Sequence, residues 1–307
     1  MHEAVTRLRE NIGKVLFGKQ DVVDRVVCCL LARGHLLIED VPGVGKTVLA
    51  TALARSVACS FARIQLTPDL LPSDVLGVEI YDKNSGVFVF KKGPIFANIV
   101  LADEINRTPP RTQAALLEAM SEGTVSVDGR TLTLDPPFMV IATQNPFDFE
   151  GTYALPENQL DRFLMRLSIG YPPSDEEARV LDVRPANSPL HTLGPVVSRE
   201  QLIELQDRVD RVNIARPILD YVVAFAGATR RESKLLHGLS PRGSLSLAQA
   251  ARATAFFRGR EYVIPEDVID NIGPVCAHRV ITRGVPGDEH ETGRILQSVL
   301  ETVASPA

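Results

Sequence analysis

The residues best suited to chemistry lie in Asp40-Val41-Pro42-Gly43-Val44-Gly45-Lys46-Thr47, a glycine-rich turn closing on a lysine and a hydroxyl. Gly43 and Gly45 let the backbone turn its N–H groups inward around phosphate oxygens, with Pro42, Val44 and Val48 completing the loop and first helical turn. Lys46 would reach the β- and γ-phosphates of ATP, and the Thr47 hydroxyl would ligate Mg²⁺. One position departs from the P-loop pattern: Asp40 replaces the first glycine. An apolar strand runs in, and a helix runs out from Thr47, so the helix N-terminus adds its partial positive charge. Alone, the segment could be no more than a glycine-rich turn ahead of a helix.

A phosphate loop also needs a carboxylate on a neighbouring strand to hold hydrated Mg²⁺. Ile99-Val100-Leu101-Ala102-Asp103-Glu104 is an apolar strand ending in two acids. Asp103 would orient the metal, and Glu104, facing the other way, is placed to polarise a water for attack on the γ-phosphorus. One strand later, Gln144-Asn145-Pro146 puts a polar amide at a strand tip. There Asn145 could hold that water, although an Asn-Pro turn is the plainer reading.

These groups require a scaffold, and the apolar pattern supplies one. Strand-length runs at 35–38, 61–66, 99–102, 138–142 and 165–169 alternate with helical patterns such as 47–57 and 112–120. That alternation predicts an α/β fold with a largely parallel sheet buried on both sides. Two β-hairpins are expected to project from it: 78–81 with 87–90, and 124–127 with 130–134 around Asp128-Gly129. After Tyr171 the pattern changes. Pro172-Pro173 stops the last strand, Ser174 starts a helix, and a proline-punctuated loop follows over 184–197. From Ser198 onward only helices are expected, opened by a Ser198/Gln201 capping box, by Ser240-Pro241 and by Pro265. The expected division is a nucleotide-binding core over 1–172, a linker over 173–198 and an all-helical lid over 199–307.

Composition narrows the classes. With 45% hydrophobic and 23% charged residues, the 307-residue chain has the make-up of a soluble globular protein of one large or two modest domains. Cys28, Cys29, Cys59 and Cys276 form no CxxC pair and read as small buried hydrophobes in a reducing cytosol. The N-terminus lacks the apolar region of a signal peptide, and no stretch reaches the ~20 apolar residues of a membrane span. A cytoplasmic location is expected. A net charge of −5 argues against a general nucleic-acid binder. The histidines are scattered, with no metal-ligand spacing.

Taken together, these segments resemble the AAA+ ATPases, and more narrowly their MoxR family, over nearly the whole chain. The resemblance rests on 37–47, Leu101-Ala102-Asp103-Glu104-Ile105-Asn106-Arg107, 113–120, Ala142-Thr143-Gln144-Asn145-Pro146, Gly151-Thr152-Tyr153-Ala154-Leu155-Pro156-Glu157 and Leu160-Asp161-Arg162-Phe163. It accounts for Asp40, because the family often lacks the first glycine. It implies an αβα P-loop sandwich of the AAA+ type with two β-hairpin insertions and an all-α lid. It also implies roles: Asn145 as sensor 1, Arg162 as the arginine finger with Arg166 as fallback, and Arg242 as the sensor 2 arginine reaching back to the phosphates. Phe17 and Gly18 fall in a segment that resembles the one packing on adenine. A hexameric ring, hairpins near a central pore and protein clients, among them proteins with a von Willebrand factor A domain, are further implications. Two alternatives stay open: an ATP-dependent assembly switch with little turnover, and a nucleic-acid-directed AAA+ motor.

Overall fold

The structure is a computed structural model and describes residues 2–127, 129–146, 152–182, 189–283 and 289–306. Asp128 of the second hairpin turn, Gly151, and 184–188 of the proline-punctuated loop lie outside the described residues. The chain opens with α1 (Glu3–Gly13) and α2 (Gln20–Leu31), then β1 (Leu36–Glu39), the glycine-rich loop and α3 (Lys46–Ser56). Next come β2 (Phe61–Gln65), α4 (Pro72–Leu76), the hairpin β3 (Gly77–Asp82) and β4 (Val87–Lys92), and β5 (Ile99–Asp103). They are followed by α5 (Pro110–Glu122), the hairpin β6 (Thr124–Val127) and β7 (Arg130–Thr133), β8 (Met139–Gln144), the short α6 (Glu157–Leu160) and β9 (Met165–Leu167).

Five of these strands form one parallel sheet in the order β2-β5-β8-β1-β9. Successive side chains on a strand point to opposite faces, and here both faces are apolar. Leu36, Ile38, Leu101 and Ile141 join a core with Val5, Leu8, Val23, Leu49 and Leu53 of α1, α2 and α3. Leu37, Val100, Ala102 and Val140 join a second core with Val75, Leu116 and Leu117 of α4 and α5. Leu36, Leu37 and Ile38 are fully buried, each stabilising the sandwich by about 2 kcal/mol. All five strands point the same way, so their C-terminal ends form one edge, where ligands of such sheets bind.

Both expected hairpins are present, and they touch: Arg130 of β7 pairs with Glu79 of β3 at 3.2 Å. The first exposes Val78, Ile80, Val87 and Val89 on one face, while Tyr81 and Phe88 meet edge-to-face on the other.

Beyond the sheet come α7 (Ser174–Asp182), α8 (Pro189–Thr192), α9 (Arg199–Asp210), α10 (Arg216–Arg231), α11 (Pro241–Phe257), α12 (Pro265–Cys276) and α13 (Glu289–Glu301). The cap signals act as read. Ser198 Oγ accepts from the Gln201 N–H at 3.2 Å and the Gln201 side chain accepts from the Ser198 N–H at 3.0 Å. Ser240 Oγ accepts from the Gly243 N–H at 3.0 Å. The expectation of helices alone after Ser198 is corrected by two strands, β10 (Leu235–His237) and β11 (Ile281–Thr282), which pair antiparallel. They are three and two residues long, and each is satisfied only by a partner distant in the sequence, so no local periodicity marks them.

The lid docks on the α2 side of the core. Gln206 donates to the Leu30 carbonyl at 2.7 Å, Arg33 pairs with Asp207 and Asp210, and Arg25 donates to the Asp270 carbonyl at 2.9 Å. One apolar core runs without a break from the sheet into α9–α13. No helix among the described residues is long and apolar enough to cross a membrane.

Candidate nucleotide site

The phosphate loop joins β1 to α3. Gly43 (φ +89°) and Gly45 (φ +98°) hold the left-handed backbone that only glycine adopts without strain. A Cβ added at Gly43 would meet nothing within 4 Å, so the mouth of the loop is open. Pro42 is exposed, and Val44, Gly45, Lys46, Thr47 and Val48 are half-buried around that mouth. Lys46 donates from Nζ to the carbonyls of Asp40 (2.6 Å) and Gln144 (3.2 Å), which holds the ammonium at the C-terminal ends of β1 and β8.

Asp40 does more than replace a glycine. Its φ is not positive, so the position has no need of one. Its Oδ2 accepts from the N–H groups of Ile169 and Gly170, both at 2.7 Å, and from Ser168 Oγ at 2.8 Å, while Oδ1 accepts from the Val41 N–H at 2.8 Å. Burial alone would raise its pKa; the donors, led by the Gly170 N–H, outweigh burial and hold it below the usual carboxylate value. The phosphate loop is thereby moored to the segment that leaves β9.

Asp103 ends β5, which is not the strand next to β1 as expected but the second one, with β8 between them. Its Oδ1 accepts from Thr143 Oγ1 at 2.6 Å, and its Oδ2 accepts from Arg63 Nε at 3.1 Å and Nη2 at 2.7 Å. Thr143 Oγ1 also accepts the Glu104 N–H at 3.0 Å, so one buried hydroxyl positions both acids. Glu104 adopts a left-handed backbone (φ 60°, ψ 53°) and accepts from Gln65 Nε2 at 2.9 Å, with Arg107 at 3.4 Å. A left-handed backbone is uncommon for a non-glycine residue, which singles this turn out as a candidate for function. Asn145 is buried directly after β8. Sequence reasoning missed Arg63, Gln65, Thr143 and Arg107 as neighbours of these acids. Only Thr143, a hydroxyl late in an apolar strand, gave a local sign.

Phe17 and Gly18 lie on the same side. Leu16 Cδ1 would stand 3.6 Å from a Cβ at Gly45, the Arg179 guanidinium covers the Phe17 ring at 4.7 Å, and Gly18 (φ +67°) abuts Pro173 and Glu176. The arrangement suits Mg·ATP. The glycine turn and Lys46 match a triphosphate, and the Thr47 hydroxyl with the Asp103 carboxylate is an all-oxygen set suited to a hard cation that retains water.

The arginines lie elsewhere. Met165, at the start of β9, pairs with Leu36 at the start of β1, so Arg162 sits at the N-terminal edge of the sheet. The phosphate loop leaves the other edge, a strand length of about 13 Å away. Arg162 Nη1 donates to the Leu117 carbonyl and to Ser121 Oγ (2.6 Å) near the end of α5, and its Nε is buried without a hydrogen-bond partner. Arg242, exposed at the start of α11, faces Asp161 at 3.7 Å and belongs to the same edge. The expectation that Arg242 reaches the phosphates is therefore not met within one chain. Arg166, the fallback candidate for the finger, pairs with Glu39 at 3.1 Å, both largely buried, which ties β9 to β1.

A parallel β2-β5-β8-β1-β9 sheet, a glycine loop with its lysine, and paired acids two strands away define a P-loop ATPase of the AAA+ class. The model of the ATPase family associated with various cellular activities (AAA) matches residues 35–165, and that of the AAA lid domain matches 227–299. The chain is 42% identical to Chaperone MoxR1 of Mycobacterium tuberculosis (strain ATCC 25618 / H37Rv) over 306 residues, covering 96% of this chain and 81% of that protein. It is 51% identical over 268 residues to YeaC of Bacillus subtilis (strain 168), described as uncharacterized, covering 87% of this chain and 84% of that one. Its fold matches a crystal structure of a candidate ATPase from Cytophaga hutchinsonii ATCC 33406 with a TM-score of 0.89 and 36% identity, over 99% of this chain and 95% of that one. The chain belongs to the MoxR family of AAA+ ATPases.

Proposed function

We propose that this chain hydrolyses ATP with Mg²⁺ at sites shared between copies of itself, and that the cycle remodels partner proteins. The observation that carries this reading is the separation of the arginines from the phosphate loop. Lys46, Asp103, Glu104 and Asn145 gather at the C-terminal edge of the sheet, Arg162 and Arg242 at the N-terminal edge. A chain with both halves of a phosphoryl-transfer site on opposite edges completes the site by stacking head to tail, and a closing head-to-tail contact generates a ring. A ring of six fits the family.

Within the site, the loop N–H groups and Lys46 bind the phosphates, and Thr47 and Asp103 hold Mg²⁺. When bound, the metal neutralises charge on the β- and γ-phosphate oxygens. Glu104 accepts a proton from the attacking water, and Asn145 orients that water. Arg162 from the neighbouring copy stabilises the charge on the transferring group. Arg242 of a neighbour reaches the same phosphates.

The protein clients follow from the name of the Mycobacterium tuberculosis relative, Chaperone MoxR1. Proteins with a von Willebrand factor A domain are the partners to try first. The two joined hairpins, with the exposed aliphatic face of the first, are the surface that would meet a client. The test is steady-state ATP hydrolysis against protein concentration, with Glu104→Gln as control. Activity per subunit that rises with concentration and vanishes in the variant supports a site built in trans. No turnover above the variant at any concentration contradicts self-sufficient hydrolysis.

A further inference from the structure

Asp103 has both carboxylate oxygens engaged, and one of its partners is a cation. The register of the edge strand β2 sets Arg63 opposite Leu101 and Gln65 opposite Asp103. Arg63 therefore projects on the same sheet face as Asp103, and both its Nε (3.1 Å) and its Nη2 (2.7 Å) reach Oδ2. The acid is nearly buried, its side chain 10% exposed, whereas that of Arg63 is 51% exposed. Thr143 holds the other oxygen at 2.6 Å and fixes the rotamer without Arg63. The guanidinium is thus not needed to orient the acid. What it adds is one unit of positive charge on the oxygen that faces away from Thr143.

We propose that Arg63 is the resident counter-cation of Asp103, which competes with the divalent metal and sets the metal affinity of the nucleotide site. This rests on the reading of Asp103 as the Mg²⁺ carboxylate. A lone carboxylate at a nearly buried strand end is costly, and a paired cation removes that cost while no metal is bound. A divalent ion drawn to the same oxygen meets the repulsion of the guanidinium a few ångströms away. Arg63 can yield, because it lies half-exposed on an edge strand and its Nη2 already touches Gln65 Oε1 at 3.3 Å. The consequence is a threshold: free metal binds poorly, and metal arriving with nucleotide phosphates displaces the arginine.

The experiment is a Mn²⁺ titration followed by electron paramagnetic resonance, on full-length protein with and without ADP. The variants are Arg63→Gln, Arg63→Lys and Asp103→Asn, each checked for ADP binding in excess chelator. Arg63→Gln is expected to lower the half-saturating Mn²⁺ concentration by about tenfold, and Arg63→Lys to stay within about threefold of the original protein. A gain in affinity is not something a damaged fold produces. Unchanged or weaker Mn²⁺ binding in Arg63→Gln, while Asp103→Asn abolishes tight binding, overturns the proposal alone. Tight Mn²⁺ binding that survives in Asp103→Asn instead overturns the metal assignment of Asp103, and the proposal with it.

Discussion

Asp161 of the core and Arg279 of the lid meet at 2.8 Å, and the arginine that makes this contact is 1% exposed. Arg279 also donates to the carbonyls of Phe163 at 2.6 Å and Leu164 at 3.1 Å, so it grips the backbone between Arg162 and the start of β9. Asp161 is shared with Arg242. One carboxylate beside Arg162 thus holds two lid arginines, Arg242 and Arg279, so a change in lid angle acts directly on the segment that carries Arg162.

Removal of this grip should cost stability. Arg279→Met leaves the Asp161 carboxylate and four backbone carbonyls, those of Asp161, Phe163, Leu164 and Val275, without this buried donor, a loss of about 3 kcal/mol. Thermal melting should fall by roughly 6–12 °C. A shift below about 2 °C would show that the lid is held by its apolar core alone.

Glu104 is assigned the proton-accepting role, so Glu104→Gln should lower ATP turnover at least about a hundredfold. Nucleotide binding should persist, since the loop and Lys46 are untouched. Equal loss of binding and turnover, measured with a fluorescent ATP analogue, would make Glu104 a structural residue.

Asp40→Gly restores the usual P-loop pattern yet should weaken the protein. The buried N–H of Ile169 and that of Gly170 lose a charged acceptor, at about 3 kcal/mol for the pair. Denaturant unfolding measures this directly. The folded pKa of Asp40 is depressed, so its stabilisation is present above the unfolded value and lost as pH falls through the folded one. The advantage of the original chain over Asp40→Asn should therefore shrink below about pH 4. An advantage that stays constant into acid contradicts the assignment.

His35 gives a second pH dependence in a different window. It is buried as the neutral ring, with Nε2–H donating to the Met120 carbonyl at 2.9 Å and Nδ1 accepting the Val140 N–H at 3.0 Å. Burial lowers its pKa to about 4. Between the unfolded value of about 6.5 and that point the unfolded chain binds the extra proton, so stability falls as pH falls, by on the order of 3 kcal/mol across the window. His278, pushed well below its usual value by burial and by Arg279 and Arg166, acts in the same direction. His35→Gln should flatten the slope of stability against pH; an unchanged slope excludes His35 as its source.

What the sequence shows, it shows through local pattern. The strands expected at 35–38, 61–66, 99–102, 138–142 and 165–169 are found within two residues at each end, because buried parallel strands are continuous apolar runs. The caps at Ser198 and Ser240 were legible because the partners are three residues apart. Contacts across the chain were not. Arg63 meets Asp103 from 40 residues away, Asp40 meets Gly170 from 130, and Arg279 meets Asp161 from 118. Nothing near Arg279 in the sequence sets it apart from the other arginines of the lid. The opposite-edge placement of Arg242 depended on how the lid docks, which no helical pattern encodes.

The most direct test of a site shared between copies is a mixing experiment with Glu104→Gln and Arg162→Ala, each inactive alone. Mixed in equal amounts and allowed to reassemble, they form some interfaces that join an intact Glu104 to an intact Arg162 from the next copy. Random pairing places roughly a quarter of the interfaces in that state, so ATP hydrolysis should return to about a quarter of the original rate. A mixture no more active than its separate components, in protein shown to exchange subunits, would contradict a site completed in trans.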